Sequence, residues 1–245
     1  MPRSLLATRR VPPLHFLAPR ANRRSTHKAR AIFRAICTKP VLEWAEMAPL
    51  VLPLVPLDGE VLLPGHRLEL ASLSGWLSDQ TGMERSRSPV AAALRDEDSV
   101  HEIGVIAAVE TTGESTSLRG IGRCRLLALV QESIPPLVEV KALRENTLTG
   151  ARPQRLASLL RRRFQSLRQQ LGQPELLVSP TTALSPLTWT VVAGLGLSAH
   201  QQQGFLNLSD PVDRGRLLLL AIRELSQRER FLKPWSHLRE GHQWN

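Results

Sequence analysis

The hydrophobic period of this sequence changes once, near Arg152. From Pro49 the apolar residues come in short runs broken by proline and glycine, as in LVLPLVPLDGEVLLPGHRLEL. Runs of four to six residues bounded by turn formers are strand-like, and Asp58-Gly59 and Pro64-Gly65 read as the turns. Ile103–Val109, Ile121–Val130 and Leu137–Leu143 repeat the texture, with a turn at Thr112-Gly113-Glu114 and Ile134-Pro135-Pro136 ahead of the last strand, where proline costs no ladder bond. Between these clusters Ser72–Asp98 is polar and reads as a long loop centred on Arg85-Ser86-Arg87-Ser88-Pro89, with a short helical turn at Val90–Leu94.

From about Arg152 the period becomes helical. Leu156, Leu159, Leu160, Phe164, Leu167 and Leu171 fall on one stripe of a helix that starts near Pro153 and stops at Gly172. Ser185-Pro186 reads as the cap of a second helix, Ser198 as the cap of a short third, and Ser209 or Asp210, followed by Pro211, as the start of a fourth in which Leu217, Leu220 and Leu225 are buried candidates. The fold class is therefore α+β: a β unit over 49–148, then a helical bundle over 152–232, with a polar tail at 233–245.

Charge divides the chain differently. Lys+Arg 32 against Asp+Glu 22 gives +10, yet residues 1–42 hold ten basic residues and no acidic one. The remainder balances at 22 against 22, so the basic excess belongs to the leader and is no argument for a nucleic-acid-binding body. An acid-free, Arg-rich leader with small and hydroxylated residues has the composition of an organelle transit peptide, and arginines interrupt every stretch that could serve as a secretory signal. The string Arg34-Ala35-Ile36-Cys37 points to the chloroplast, with the mitochondrion as alternative; a basic arm retained in place is the other reading. No run of about 18 apolar residues occurs, so no membrane span is expected.

Motifs for chemistry are sparse. There is no GxxxxGK[ST] phosphate loop. Cys124 is the body's single thiol and reads as a buried core residue, with activation by Arg123 and Arg125 as the alternative. His237 and His242 have a zinc-compatible spacing but no cysteine to complete a set, and Asp96-Glu97-Asp98 reads as a solvated loop. No catalytic residue, metal site or cofactor is expected, and binding is what remains. The candidate contact residues are Trp76 in the polar loop, Trp189 and Phe205 in the helices, where core packing competes with partner contact, and the arginines Arg161, Arg162 and Arg163.

Four strings give this order of elements a likeness. Leu52–Leu57 with Val61–Gly65, His101–Ala107, Gly120–Leu127 and Leu206–Leu218 together resemble the amino-terminal substrate-binding domain of the ATP-dependent Lon (La) protease, over about residues 50–232. One stretch departs from that pattern: after Pro64-Gly65-His66 the chain reads RLELASLSGWLSDQ, and it contains no tyrosine anywhere.

The resemblance implies a PUA-like β pseudo-barrel packed on a helical bundle. Gly104, Gly120 and Gly122 would let the sheet bulge and bend, or leave room for a peptide. It also implies a stand-alone, non-catalytic module, since neither the ATPase part of Lon nor a lysine in a recognisable dyad is present; Lys141 and Lys233 are the body's two lysines. The implied partners are unfolded or client proteins, with an organelle protease as a further partner, held in an apolar groove between sheet and bundle. RNA, held by the arginine face at Arg152, Arg155 and Arg161–Arg163, is the runner-up.

Overall fold

The computed structural model describes residues 48–69, 89–97, 99–112, 115–146, 150–176 and 178–233. The basic leader, Trp76, Arg85–Ser88 of the polar loop, the Gly113-Glu114 turn, Asp98 and the tail with His237 and His242 lie outside them.

Among the described residues, seven strands come first: β1 (Leu50–Asp58), β2 (Arg67–Glu69), β3 (Pro89–Asp96), β4 (Ser99–Val100), β5 (Ile103–Thr112), β6 (Ser115–Gln131) and β7 (Leu137–Ala142). Four described helices follow: α1 (Ala151–Gln170), α2 (Leu184–Gly194), α3 (Ala199–Asn207) and α4 (Pro211–Leu232). The strand order is β1-β7-β6-β5-β3-β4, and a parallel pairing of β1 with β3 closes the first five of these into a ring. All other pairings are antiparallel. The result is a β pseudo-barrel followed by a helical bundle. None of the described helices is long and apolar enough to cross a membrane.

Alternation along the strands sorts the core into two parts. Leu52, Leu54, Ala91, Ala93, Ile106, Cys124, Val138 and Val140 come from all five ring strands and pack together as the barrel filling. Val55, Leu57, Val90, Ala92, Val105, Ala107 and Leu118 belong to the other cluster, which they share with Leu160, Phe164, Leu167, Leu187, Trp189, Leu206, Leu218 and Ile222 of the helices. The barrel is thus docked on the bundle through one continuous apolar layer.

Val90–Leu94 corrects the sequence reading. It is not a helical turn but the middle of β3, each residue at most 2 % exposed. Alanine favours helix in isolation; here three consecutive alanines are the side chains small enough for a strand covered on both faces, and tertiary packing overrides propensity. β5 and β6 form a long hairpin whose register shifts between Ile106 and Ala107, opposite Gly122 and Gly120. Ile121 is the extra residue of that bulge. At Gly120 the requirement for glycine is spatial: a Cβ there would stand 2.4 Å from the Leu63 carbonyl oxygen. The gap lets the Pro64-Gly65 turn close on the strand, with Gly65 N–H donating to Gly120 O and Gly120 N–H to His66 O, both at 2.9 Å.

The helices follow their capping chemistry in part. Ser198 and Gln201 form a reciprocal capping box on α3, and the Asp210 carboxylate accepts from Val212 N–H at 2.8 Å at the start of α4. α2 begins one residue before the expected cap, with Ala183 as its uncapped N-cap, because the Ser185 hydroxyl donates instead to Glu145. On α4 the buried face is Arg214, Gly215, Leu218 and Ile222. Leu217 and Leu220, expected inside, are 44 % and 54 % exposed, while Leu225 is partly buried against the core. A buried arginine holds the inward position that an aliphatic stripe would have taken.

Candidate functional site

Sheet and bundle meet over a polar node that reaches five parts of the chain. Arg214 of α4 is fully buried, Arg123 of β6 is 2 % exposed, and Glu145, in the connection from β7 to α1, lies between them. Arg214 donates from Nη2 to Glu145 Oε2 at 2.7 Å and from Nη1 to Oε1 at 3.3 Å. Its remaining N–H groups reach Thr188 Oγ1 at 2.9 Å, the Leu208 carbonyl at 3.0 Å and Ser185 Oγ at 3.3 Å, and its guanidinium lies 3.6 Å from the centre of the Trp189 ring. The planar fork of arginine can satisfy this many acceptors at once, which a lysine ammonium could not.

Arg123 Nε donates to the Leu206 carbonyl at 2.8 Å, Nη2 to the Asn207 carbonyl at 3.5 Å, and Nη1 stands 3.5 Å from Glu145. Two cations thereby meet the free carbonyls at the C-terminal end of α3, where the helix dipole favours positive charge. Burial pulls both guanidiniums below their ordinary pKa, and Glu145 opposes the shift. Arginine starts so high that both remain charged at neutral pH.

Above this node a groove of about 510 Å³ opens between barrel and bundle, lined by His101, Glu102, Ile103, Arg123, Arg125, Leu143, Asn207 and Ser209. A groove stands where one was expected, but its lining is polar and charged. The α3 terminus demands donors there, and β6 supplies arginines. Trp189 is 2 % exposed, its ring covered by Arg214, and Phe205 is partly buried in the core; neither lines the groove.

The arginines of α1 do not converge. Arg161 is half-buried and donates to the Thr182 carbonyl at 3.4 Å, while Arg162 and Arg163 are exposed on successive bearings around the helix. Arg155 and Arg162 flank a shallow recess of about 360 Å³ with Ala151, Gln154 and Ser158. Cys124 lies in the barrel filling with its thiol pKa pushed up to about 12, chiefly by burial, so Arg123 and Arg125 do not make it a nucleophile near neutral pH.

The exposed apolar surface lies further along β6. The β5 pairing ends at Arg125, after which Leu126 N–H donates once more to the Glu102 carbonyl at 2.8 Å. From Leu127 to Gln131 the strand is paired with β7 alone among the described residues, through a register that shifts twice. Leu127, Leu129 and Val130 are 46–54 % exposed, and Ile134 in the following turn is 79 % exposed. Val51, two strands away, is also exposed.

No family model matches this sequence, and no curated protein does either. Solved structures do. The amino-terminal domain of Lon protease from Mycobacterium avium complex superposes with a TM-score of 0.57 at 21 % identity, covering 71 % of this chain and 98 % of that one. A Lon N-terminal domain protein from Xanthomonas campestris gives 0.50 at 22 % identity, covering 70 % and 98 %. The chain has the Lon N-terminal domain fold.

Within that fold, the Arg123–Glu145–Arg214 node is what reading the sequence missed. Arg123 and Arg214 both lie in strings that carry the Lon N-terminal likeness, yet nothing in either string marks a buried guanidinium. The available signal was negative: Gly215 beside Arg214 leaves the helix surface bare next to a long side chain, and a Cβ there would stand 3.2 Å from Leu156.

Proposed function

We propose that this chain is a non-catalytic, polypeptide-binding module of the Lon N-terminal type, acting on clients with exposed apolar segments inside an organelle reached through the 1–42 leader. The observation that carries the reading is the end of β6. A strand with one edge unpaired among the described residues and protruding Leu127, Leu129 and Val130 is a site to which an extended peptide can add main-chain hydrogen bonds while burying apolar side chains. Soluble domains seldom leave such surface together without a use for it. The polar groove, lined by His101, Glu102, Arg123 and Arg125, borders this edge along β6 and would favour charged flanks on the bound segment.

The test is binding of a permanently unfolded, reduced and alkylated protein, read by fluorescence anisotropy. A Leu or Val side chain going from half-exposed to buried is worth about 1 kcal/mol or somewhat more, so Leu129→Asp and Val130→Asp together should weaken binding at least about tenfold, with the melting temperature unchanged. Binding unaffected by the pair would refute the reading. RNA retention that falls steeply with salt and disappears on charge reversal at Arg155 and Arg162 would replace it with the nucleic-acid alternative.

A further inference from the structure

We propose that Asp96, His101 and His200 form a binding site for a divalent transition-metal ion of the zinc class, tying the barrel to the bundle beside the polar groove. The three come from separate elements. Asp96 ends β3, His101 follows β4, and His200 is the second residue of α3. One ligand atom from each can be chosen so that all lie within 4.8 Å of one another. His101 Nε2 stands 2.9 Å from Asp96 Oδ2, and His200 Nδ1 stands 3.8 Å from Asp96 Oδ1. A tetrahedral ion with bonds of about 2.0–2.2 Å holds its ligands about 3.3–3.6 Å apart, and the two separations, each to a different oxygen of the Asp96 carboxylate, fall on either side of that range.

The backbone fixes the three residues for reasons independent of any ion. Asp96 is paired with Ser99 across the short β3–β4 hairpin, and His101 N–H donates to the Leu94 carbonyl at 2.9 Å. The capping box of Ser198 and Gln201 sets the first turn of α3. One turn on, the buried Gln203 donates to the Ile103 carbonyl at 2.8 Å and seats this face of α3 on the start of β5. His200, three residues before Gln203, shares that face, and so its imidazole arrives 6.4 Å, ring centre to ring centre, from that of His101. His101 Nε2 is buried and makes no hydrogen bond, even with Asp96 close by. That nitrogen is thus held 2.9 Å from the Asp96 carboxylate without the geometry of a hydrogen bond to it, an arrangement an ion placed between the two groups would satisfy.

Two imidazoles and one carboxylate suit zinc, and equally cobalt as its spectroscopic substitute, whereas magnesium and calcium prefer all-oxygen sets. Three protein ligands leave a position for water or for a donor from a bound molecule.

The experiment titrates the full chain, stripped with chelator, with Zn²⁺ by calorimetry and with Co²⁺ by visible absorption. One equivalent should bind, with the d–d absorption of a four- or five-coordinate ion, and the melting temperature should rise with added zinc. His200→Asn, at an exposed position that leaves the metal-free melting temperature unchanged, should weaken binding at least about tenfold, as should His101→Asn, since even the loss of an outer-shell partner costs about that much. A His237→Asn/His242→Asn chain should bind as the parent does. Absence of saturable binding at micromolar zinc overturns the proposal, and so does affinity equal to the parent's in both the His200 and His101 variants.

Discussion

Arg214→Met should lower the unfolding free energy by about 3–5 kcal/mol, the range for breaking a buried ion pair while leaving its partner behind, and lower the melting temperature by on the order of 10 °C. Methionine keeps most of the packing volume, so the loss would come from the charge and its hydrogen bonds. Glu145, with both carboxylate oxygens committed to Arg214, would be left facing Arg123 at 3.5 Å and the Ser185 hydroxyl. The Leu208 carbonyl and Thr188 hydroxyl would lose a donor, and Trp189 the cation on its face. Adding Glu145→Gln should cost much less than it does in the parent, a non-additivity of about 0.5–3 kcal/mol in a double-mutant cycle read by chemical denaturation. Full additivity would mean that the node is not a cooperative unit. Arg214→Lys should recover only part of the loss, since an ammonium cannot reach the same set of acceptors.

Gly120→Ala should cost about 3 kcal/mol, at the upper end of what overpacking usually takes. The added carbon would stand 2.4 Å from the Leu63 carbonyl oxygen, 3.1 Å from its carbon and 3.3 Å from Pro64 Cα. All three are backbone atoms, so no side chain can swing away; the Leu63–His66 turn or β6 itself has to move, and the two hydrogen bonds that join them lengthen. Gly122→Ala is the control. It lies in the same strand two residues on, with nothing within 4 Å of its added carbon, and should change stability by no more than about 0.5 kcal/mol. Equal losses at both sites in thermal denaturation would show that intrinsic strand preference, and not the close approach of the Leu63 turn, governs Gly120.

What the sequence could and could not disclose follows from the range over which each interaction acts. Turns at Asp58-Gly59 and Pro64-Gly65, the Ser198 capping box and the Asp210-Pro211 start are local, set by residues within a few positions, and Gly59 and Gly65 take the positive φ of 69° and 79° that such turns require. The long stripe of α1 was legible for the same reason, with Leu160, Phe164 and Leu167 inside. β3 was not, because its alanines are strand only by virtue of β1 and β5 on either side. The Arg123–Glu145–Arg214 node joins residues up to 91 positions apart in the chain, and no local pattern encodes that. The same holds for the site: His101 and His200 stand far apart in the chain, and the fold puts them side by side. The exposed end of β6 looked like any other apolar strand, since exposure depends on where β5 stops.

Residue-resolved hydrogen exchange on the folded chain, with and without a bound unfolded polypeptide, bears most directly on the claim that β6 presents an open apolar edge to clients. The amides of Leu127–Gln131 that point away from β7 should exchange quickly in the free protein and become protected in the complex, while those of the β5–β6 hairpin stay unchanged. Protection appearing elsewhere, with these amides exchanging at the same rate in both states, would contradict the account.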